Sequence, residues 1–267
     1  MSLSLFGRWR FYRKRYGVVH AAAAFLGRRC PRLWALIGGV ATGRFRGRWL
    51  SQPGPRILNP GGAGLLSDEW LTADITPRAD VYLDACRRFP FPSESLDGIF
   101  AEEVIEHVSH GDALGVLSEC WRVLKPGGAL RLSTPDLGFL LGLVQSGVYP
   151  ECRFFADVLR HYGETQSPEP ALAVVRVVNN LFYEHGHRFL YSAAALKAML
   201  ENAGFFECRL SSYRDPNSPL GLLDSYADRF AHPPELSIYM DARKPGRTSA
   251  GSGTSTRQAS MKAVGER

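Results

Sequence analysis

The chain has 267 residues, 45% apolar and 22% charged, so it can bury a sizeable core, and wholesale disorder is excluded. The net charge of +6 sits at the ends: residues 1–50 carry eleven basic residues and no acid, residues 242–267 carry six basic and one acidic, and residues 51–241 are left at −10. An acidic middle is a poor generic surface for nucleic acid, so no specific nucleic-acid partner is expected. The five cysteines form no CxxC pair, which argues against a zinc knuckle or a disulfide framework and fits a reducing, cytoplasmic compartment.

In residues 1–50, arginine alternates with Phe, Trp and Tyr around two apolar runs, 18–27 and 33–42. Each run is about half of the ~20 residues that a membrane span needs. The pattern suits peripheral contact with an anionic membrane, such as the inner membrane surface. It also fits a basic arm, helices packed on the main domain, or an Arg-rich, acid-free transit peptide. Ser51-Gln52-Pro53-Gly54-Pro55 is a breaker cluster and marks a domain boundary. The expected organisation is a basic N-terminal extension (1–50), a main domain (51–245) and a Gly/Ser/Thr-rich disordered tail (246–267).

Strand and helix signals alternate through the main domain. Strands are predicted over Arg56–Asn59, Leu71–Ile75, Val81–Leu83 and Leu96–Ala101. Asp112–Leu124 has the helical spacing Leu114, Leu117, Trp121, Leu124 and should stop at Lys125-Pro126-Gly127-Gly128. A fifth strand is predicted over Ala129–Ser133, a helix over Ala193–Asn202, and two last strands over Phe206–Tyr213 and Ser237–Ala242. Such alternation predicts an α/β fold with a mostly parallel sheet, whose ligands lie beyond the carboxyl ends of the strands at the topological switch point. Residues 137–187 are long for a crossover and rich in aromatics, including Phe154, Phe155, Phe182 and Tyr183; they read as an inserted helical cap over the substrate, or as plainly packed helices.

Several phrases in this order carry a family resemblance: Ile57-Leu58-Asn59-Pro60-Gly61, Leu71-Thr72-Ala73-Asp74-Ile75, Phe89-Pro90-Phe91-Pro92, Glu106-His107, Arg122-Val123-Leu124-Lys125-Pro126-Gly127-Gly128 and Gly186-His187-Arg188-Phe189-Leu190-Tyr191. Together they cover roughly residues 56–244. The chain resembles class I S-adenosylmethionine-dependent methyltransferases of the type-11 group, and within it predicted methyltransferases of polysaccharide and cell-surface biosynthesis. The resemblance implies a Rossmann-like sheet with its last strand antiparallel, S-adenosylmethionine as cofactor, and a glycan, glycolipid precursor or other hydroxyl-bearing acceptor. Alternatives are a small metabolite or quinone acceptor, or a non-catalytic binding protein on a degenerate form of the fold. It implies cofactor contacts from Asn59, Gly61 and Ala63 after the first strand, Asp74 and Ile75 after the second, Asp84 and Ala85 after the third, and Glu102 after the fourth. Asn59 and Ala63 depart from the usual acid and glycine, and residues 64–70 leave little room for the helix that normally joins the first two strands.

Glu103, Glu106 and His107 would share one face if their segment were helical. Two carboxylates and an imidazole can hold Mg²⁺ or Mn²⁺. This Glu-x-x-Glu-His arrangement is similar to that of metal-binding ubiquinone-pathway and small-RNA O-methyltransferases, with His185 or His187 as a further ligand. Without metal, His107 is the candidate base, with Glu106 and His187 beside it at the catalytic mouth.

Overall fold

A computed structural model describes residues 42, 46–62, 65, 67–76, 78–148, 152–163, 169–230 and 233–246. The basic run before Thr42, Ala63 and the tail beyond Gly246 lie outside the described residues. Seven strands form one sheet: β1 (Ile57–Pro60), β2 (Leu71–Asp74), β3 (Val81–Tyr82), β4 (Leu96–Glu102), β5 (Leu124–Pro135), β6 (Phe206–Ser211) and β7 (Ser237–Arg243). Their order is β3-β2-β1-β4-β5-β7-β6. β1 to β5 run parallel, and β7 is antiparallel to both β5 and β6. This is the Rossmann-like sheet with a reversed last strand that the sequence predicts. The central strands β4 and β5 are buried on both faces, as parallel strands covered by helices must be.

The helices follow from their caps and apolar spacing. Ser109 caps α1 (His110–Val123) by accepting from the Asp112 amide at 3.2 Å, and Ala113, Leu117, Cys120 and Val123 face the sheet. α2 (Leu137–Ser146), α3 (Arg153–His161) and α4 (Pro170–Tyr183) fill the long segment after β5. They bury their own cluster, including Leu140, Leu143, Phe155, Val158, Val177 and Leu181. α5 (Ala193–Asn202) is capped by Ser192 and places Leu196, Met199 and Leu200 in the main core.

Two expectations shift. The Lys125-Pro126-Gly127-Gly128 stretch is part of β5 and not only a breaker. Leu124 already pairs with Leu96, and the Gly127 amide donates to the Lys244 carbonyl at 2.9 Å while the Lys244 amide donates to that of Gly128 at 3.0 Å. Gly127 absorbs the kink with φ +80°. At the other end, the packed domain reaches back past the Pro-Gly-Pro breaker. Trp49 is 4% exposed and meets Phe91 edge-on, and the Thr42 hydroxyl accepts from the Tyr82 amide at 3.2 Å.

The stretch between β6 and β7 is tied down by a buried arginine. Arg131 of β5 pairs with Asp224 and with Asp241, the latter at 2.8 Å, and also reaches the Ser218 hydroxyl and the Ser212 carbonyl. A charge this deep is held only because its partners are equally buried. The network fixes the approach to the short helix α6 (Tyr226–Phe230).

Candidate active site

Chain order reverses between β1 and β4, so the crevice at their carboxyl ends is the expected ligand position. One side of the crevice is the edge formed by β1, β2 and β3. Gly61 follows β1 with φ +74°, its amide donating to the Ala73 carbonyl at 2.8 Å, and any side chain there would collide with Val104. Asp74 ends β2; its Oδ1 accepts from the Thr76 amide at 2.7 Å, and burial lifts its carboxyl above the ordinary value. Ile75 beside it is 58% exposed. The Leu83 amide donates to the Asp74 carbonyl at 3.1 Å, which sets Asp84 and Ala85 beside the end of β2. Asp84 accepts from the Cys86 amide and pairs with Arg87 at 3.1 Å.

These groups suit an adenosine-bearing ligand. A glycine turn admits close backbone approach, a carboxylate at the strand end can take a ribose diol, and an exposed Ile75 can cover a flat base. Asn59 is a packing residue: it is 1% exposed, and with its amide nitrogen turned to the Pro60 and Phe100 carbonyls it stands 3.2 Å from each. No helix occurs among the described residues between β1 and β2.

The other side of the crevice gathers three of the sequence-predicted residues. Glu106 and His107 lie in a 3-10 turn, Ile105–His107, after β4, and His187 comes from the loop after α4. Glu106 is fully buried; its Oε2 accepts from the Thr134 hydroxyl at 3.0 Å, and its Oε1 has no hydrogen-bond partner. That oxygen lies 3.9 Å from His107 Nε2 and 4.0 Å from His187 Nε2. The backbone enforces the meeting, because the Glu106 carbonyl accepts from the amides of Arg188 at 2.7 Å and Phe189 at 3.2 Å. Burial, then the neighbouring Glu103, raises the Glu106 carboxyl well above its usual range. Burial lowers His107 and pulls His187 down to about 4, so both imidazoles are neutral near pH 7.

The helical face expected for Glu103, Glu106 and His107 is not formed. Glu103 stands in left-handed backbone with φ +53°, and its Oε1 accepts from the hydroxyls of Ser133 at 3.1 Å and Ser237 at 2.9 Å. Burial pushes this carboxyl up to about 7. The group that could hold a metal is instead Glu106, His107 and His187, whose donor atoms lie within 4.8 Å of one another. His185 is not in that group; its Nε2 lies 2.9 Å from Asn180 Oδ1.

Glu102 has a different partner from the one the resemblance implies. Its carboxylate accepts from the amides of Ser225 at 2.7 Å and Tyr226 at 2.8 Å and from the Ser225 hydroxyl at 3.0 Å, and so caps α6 rather than facing a cofactor. Tyr226, held in this way, lines a cleft with Glu103, His107 and Phe154. Sequence reasoning missed Tyr226 and Thr134. The long connection from 212 to 236 between two antiparallel strands was the available signal for Tyr226; Thr134 had none.

The family described as "Methyltransferase domain" matches residues 69–132. The chain is 38% identical over 76 residues to a probable S-adenosylmethionine-dependent methyltransferase of Mycolicibacterium smegmatis, a stretch that is 27% of this chain and 29% of that protein. It is 42% identical over 55 residues to the mitochondrial ubiquinone biosynthesis O-methyltransferase of Mus musculus, 20% of this chain and 14% of that one. The chain thus matches less than a third of the length of either relative. Among solved structures, a SAM-dependent methyltransferase from Archaeoglobus fulgidus superposes with a TM-score of 0.43 at 15% identity, covering 82% of this chain and 99% of that one. The stretch that matches the methyltransferase-domain family thus runs from just before β2 into β5 of the sheet.

Proposed function

We propose that this chain transfers the methyl group of S-adenosylmethionine to a hydroxyl oxygen. The observation that carries the reading is the pairing across one crevice of the Gly61, Asp74 and Asp84 edge with the Glu106, His107 and His187 cluster. The methyltransferase-domain match supports the chemistry, and the mouse relative's name as an O-methyltransferase supports oxygen as the acceptor atom. The polysaccharide-type acceptor rests on the sequence resemblance alone; a quinone or other small molecule is the competing acceptor, favoured by the same relative's name.

The cofactor supplies an activated methyl group, and the chain supplies alignment and proton removal. Asp74 and Ile75 would hold the nucleoside. His107, neutral and half-open to the crevice, takes the acceptor's proton, with the Glu106 oxygen 3.9 Å from its Nε2. A divalent ion could be held by the same three residues if they closed in slightly: their donor atoms spread over as much as 4.8 Å, whereas donors on one ion are about 3–4 Å apart when each bond is about 2.1 Å. Two imidazoles and one carboxylate suit Zn²⁺, Fe²⁺ or Mn²⁺ better than Mg²⁺. Such an ion would acidify the acceptor hydroxyl.

Calorimetry with S-adenosylhomocysteine tests the reading. Saturable binding is expected; no heat and no thermal shift would leave a non-catalytic member of the fold. Activity that persists in excess chelator would remove the metal. We also propose that the basic N-terminal run contacts anionic membrane: deleting residues 1–41 should release the protein from phosphatidylserine vesicles, and unchanged binding would end that part.

A further inference from the structure

The cleft between α3, α4 and the carboxyl ends of β4 and β5 has a volume of about 130 Å³. That is small for a ligand site. A cavity of about 150 Å³ in another protein holds a single benzene, whereas a hexopyranose has about twice benzene's heavy atoms. The walls divide by chemistry. Pro135, Phe154 and Leu181 supply apolar surface from three separate elements. Glu103 and Tyr226 supply oxygens, and His107 belongs to the same wall. His185 and His187 complete the described lining, and no lysine or arginine is among the described residues of it.

This lining selects by charge. An anionic group entering the cleft would lose its water with no lysine or arginine among the described lining residues to replace it. A neutral hydroxyl can instead donate to, or accept from, Glu103, Tyr226 or an imidazole. Apolar walls from Phe154, Leu181 and Pro135 suit the faces of a flat ring. We infer that the cleft is the acceptor subsite and that it takes one uncharged aromatic ring bearing a hydroxyl, with Phe154 and Tyr226 as specificity determinants. The inference rests on the methyltransferase reading and narrows its acceptor from hydroxyl compounds at large to phenols. Tyr226 reaches the cleft because Glu102 fixes the start of its helix.

The test uses the full chain near neutral pH with chelator and saturating S-adenosylhomocysteine, titrated by ligand-observed NMR with p-cresol, p-toluate and methyl α-glucopyranoside. p-Cresol should bind at least about tenfold more tightly than either competitor. Phe154→Ala should weaken p-cresol about fivefold or more and leave S-adenosylhomocysteine unchanged. Phe154→Leu serves the same purpose if the alanine variant does not fold. Tyr226→Phe, which keeps the ring and removes the hydroxyl, should weaken p-cresol and leave toluene unaffected. A smaller preference for p-cresol, equal binding of p-toluate or the glucoside, or Phe154 variants without effect would overturn the inference. Failure of p-cresol with intact S-adenosylhomocysteine binding would sink the subsite alone. Failure of S-adenosylhomocysteine would sink the methyltransferase reading.

Discussion

The two sides of the crevice are built differently. The β1–β2–β3 edge is assembled from consecutive strand ends, each contributing a residue or two, tied by the backbone hydrogen bonds Gly61 to Ala73 and Leu83 to Asp74. The acceptor side draws on five distant stretches: the end of β4, the end of β5, α3, the loop after α4, and the connection before β7. It is held by buried polar groups: Arg131 between two aspartates, Glu102 on α6, and the Glu106 carboxyl beside two imidazoles. A ligand edge can thus be locally encoded, while a catalytic cluster on the same sheet depends on long-range contacts whose partners must all be present.

That contrast can be broken by mutation. The largest effect should come from Arg131→Ala, which leaves Asp224 buried without its cation and Asp241 with only the half-exposed Arg209, and should cost about 3–5 kcal/mol in a urea melt. A loss under about 1 kcal/mol would show that the network is not what holds the acceptor side. His187 gives the next effect. Its folded pKa, about 4, lies below the ordinary value of 6.5, so the unfolded chain binds the proton more readily. Its contribution is therefore complete above pH 6.5 and is lost as pH falls toward 4, by about 3 kcal/mol at most. The stability gap between the wild type and His187→Gln should narrow across that window when melting is followed against pH. A constant gap would mean the imidazole is not desolvated.

On the cofactor edge, Asp74→Ala should weaken S-adenosylhomocysteine by about 10- to 100-fold, the worth of one or two hydrogen bonds to a charged group, with little change in melting temperature. Unchanged affinity in calorimetry would free Asp74 of its assigned role. The smallest effect is at the clamp. Glu102→Gln should cost about 1 kcal/mol. It should speed hydrogen exchange at the Ser225 and Tyr226 amides while sparing the cofactor edge, and unaltered exchange there would dissolve the link between Glu102 and Tyr226.

The sheet was legible because its signals are local. Apolar runs with expected ends at Asn59, Ile75, Leu83 and Ala101 end within one residue of these, at Pro60, Asp74, Tyr82 and Glu102, and Ala193–Asn202 appears with the boundaries expected from its own spacing. The breaker before Ala129 was misread because pairing with Lys244, more than a hundred residues away, holds it extended. Glu106 and His107 were legible as a pair, but the helical face assigned to Glu103 was not formed. The geometry there is set by a left-handed residue and two serine hydroxyls from β5 and β7. Glu102 looked like a crevice residue because it ends a strand; only the folded connection before β7 shows what it binds.

Gly61 has one more consequence. Its bare α-carbon is where Val104 rests, and Val104 leads directly into the turn that carries Glu106 and His107. The floor proposed for the nucleoside and the perch of the proposed base are therefore the two faces of one contact. A change that merely enlarged the first would tilt the second, so donor fit and acceptor chemistry cannot be tuned independently at this point.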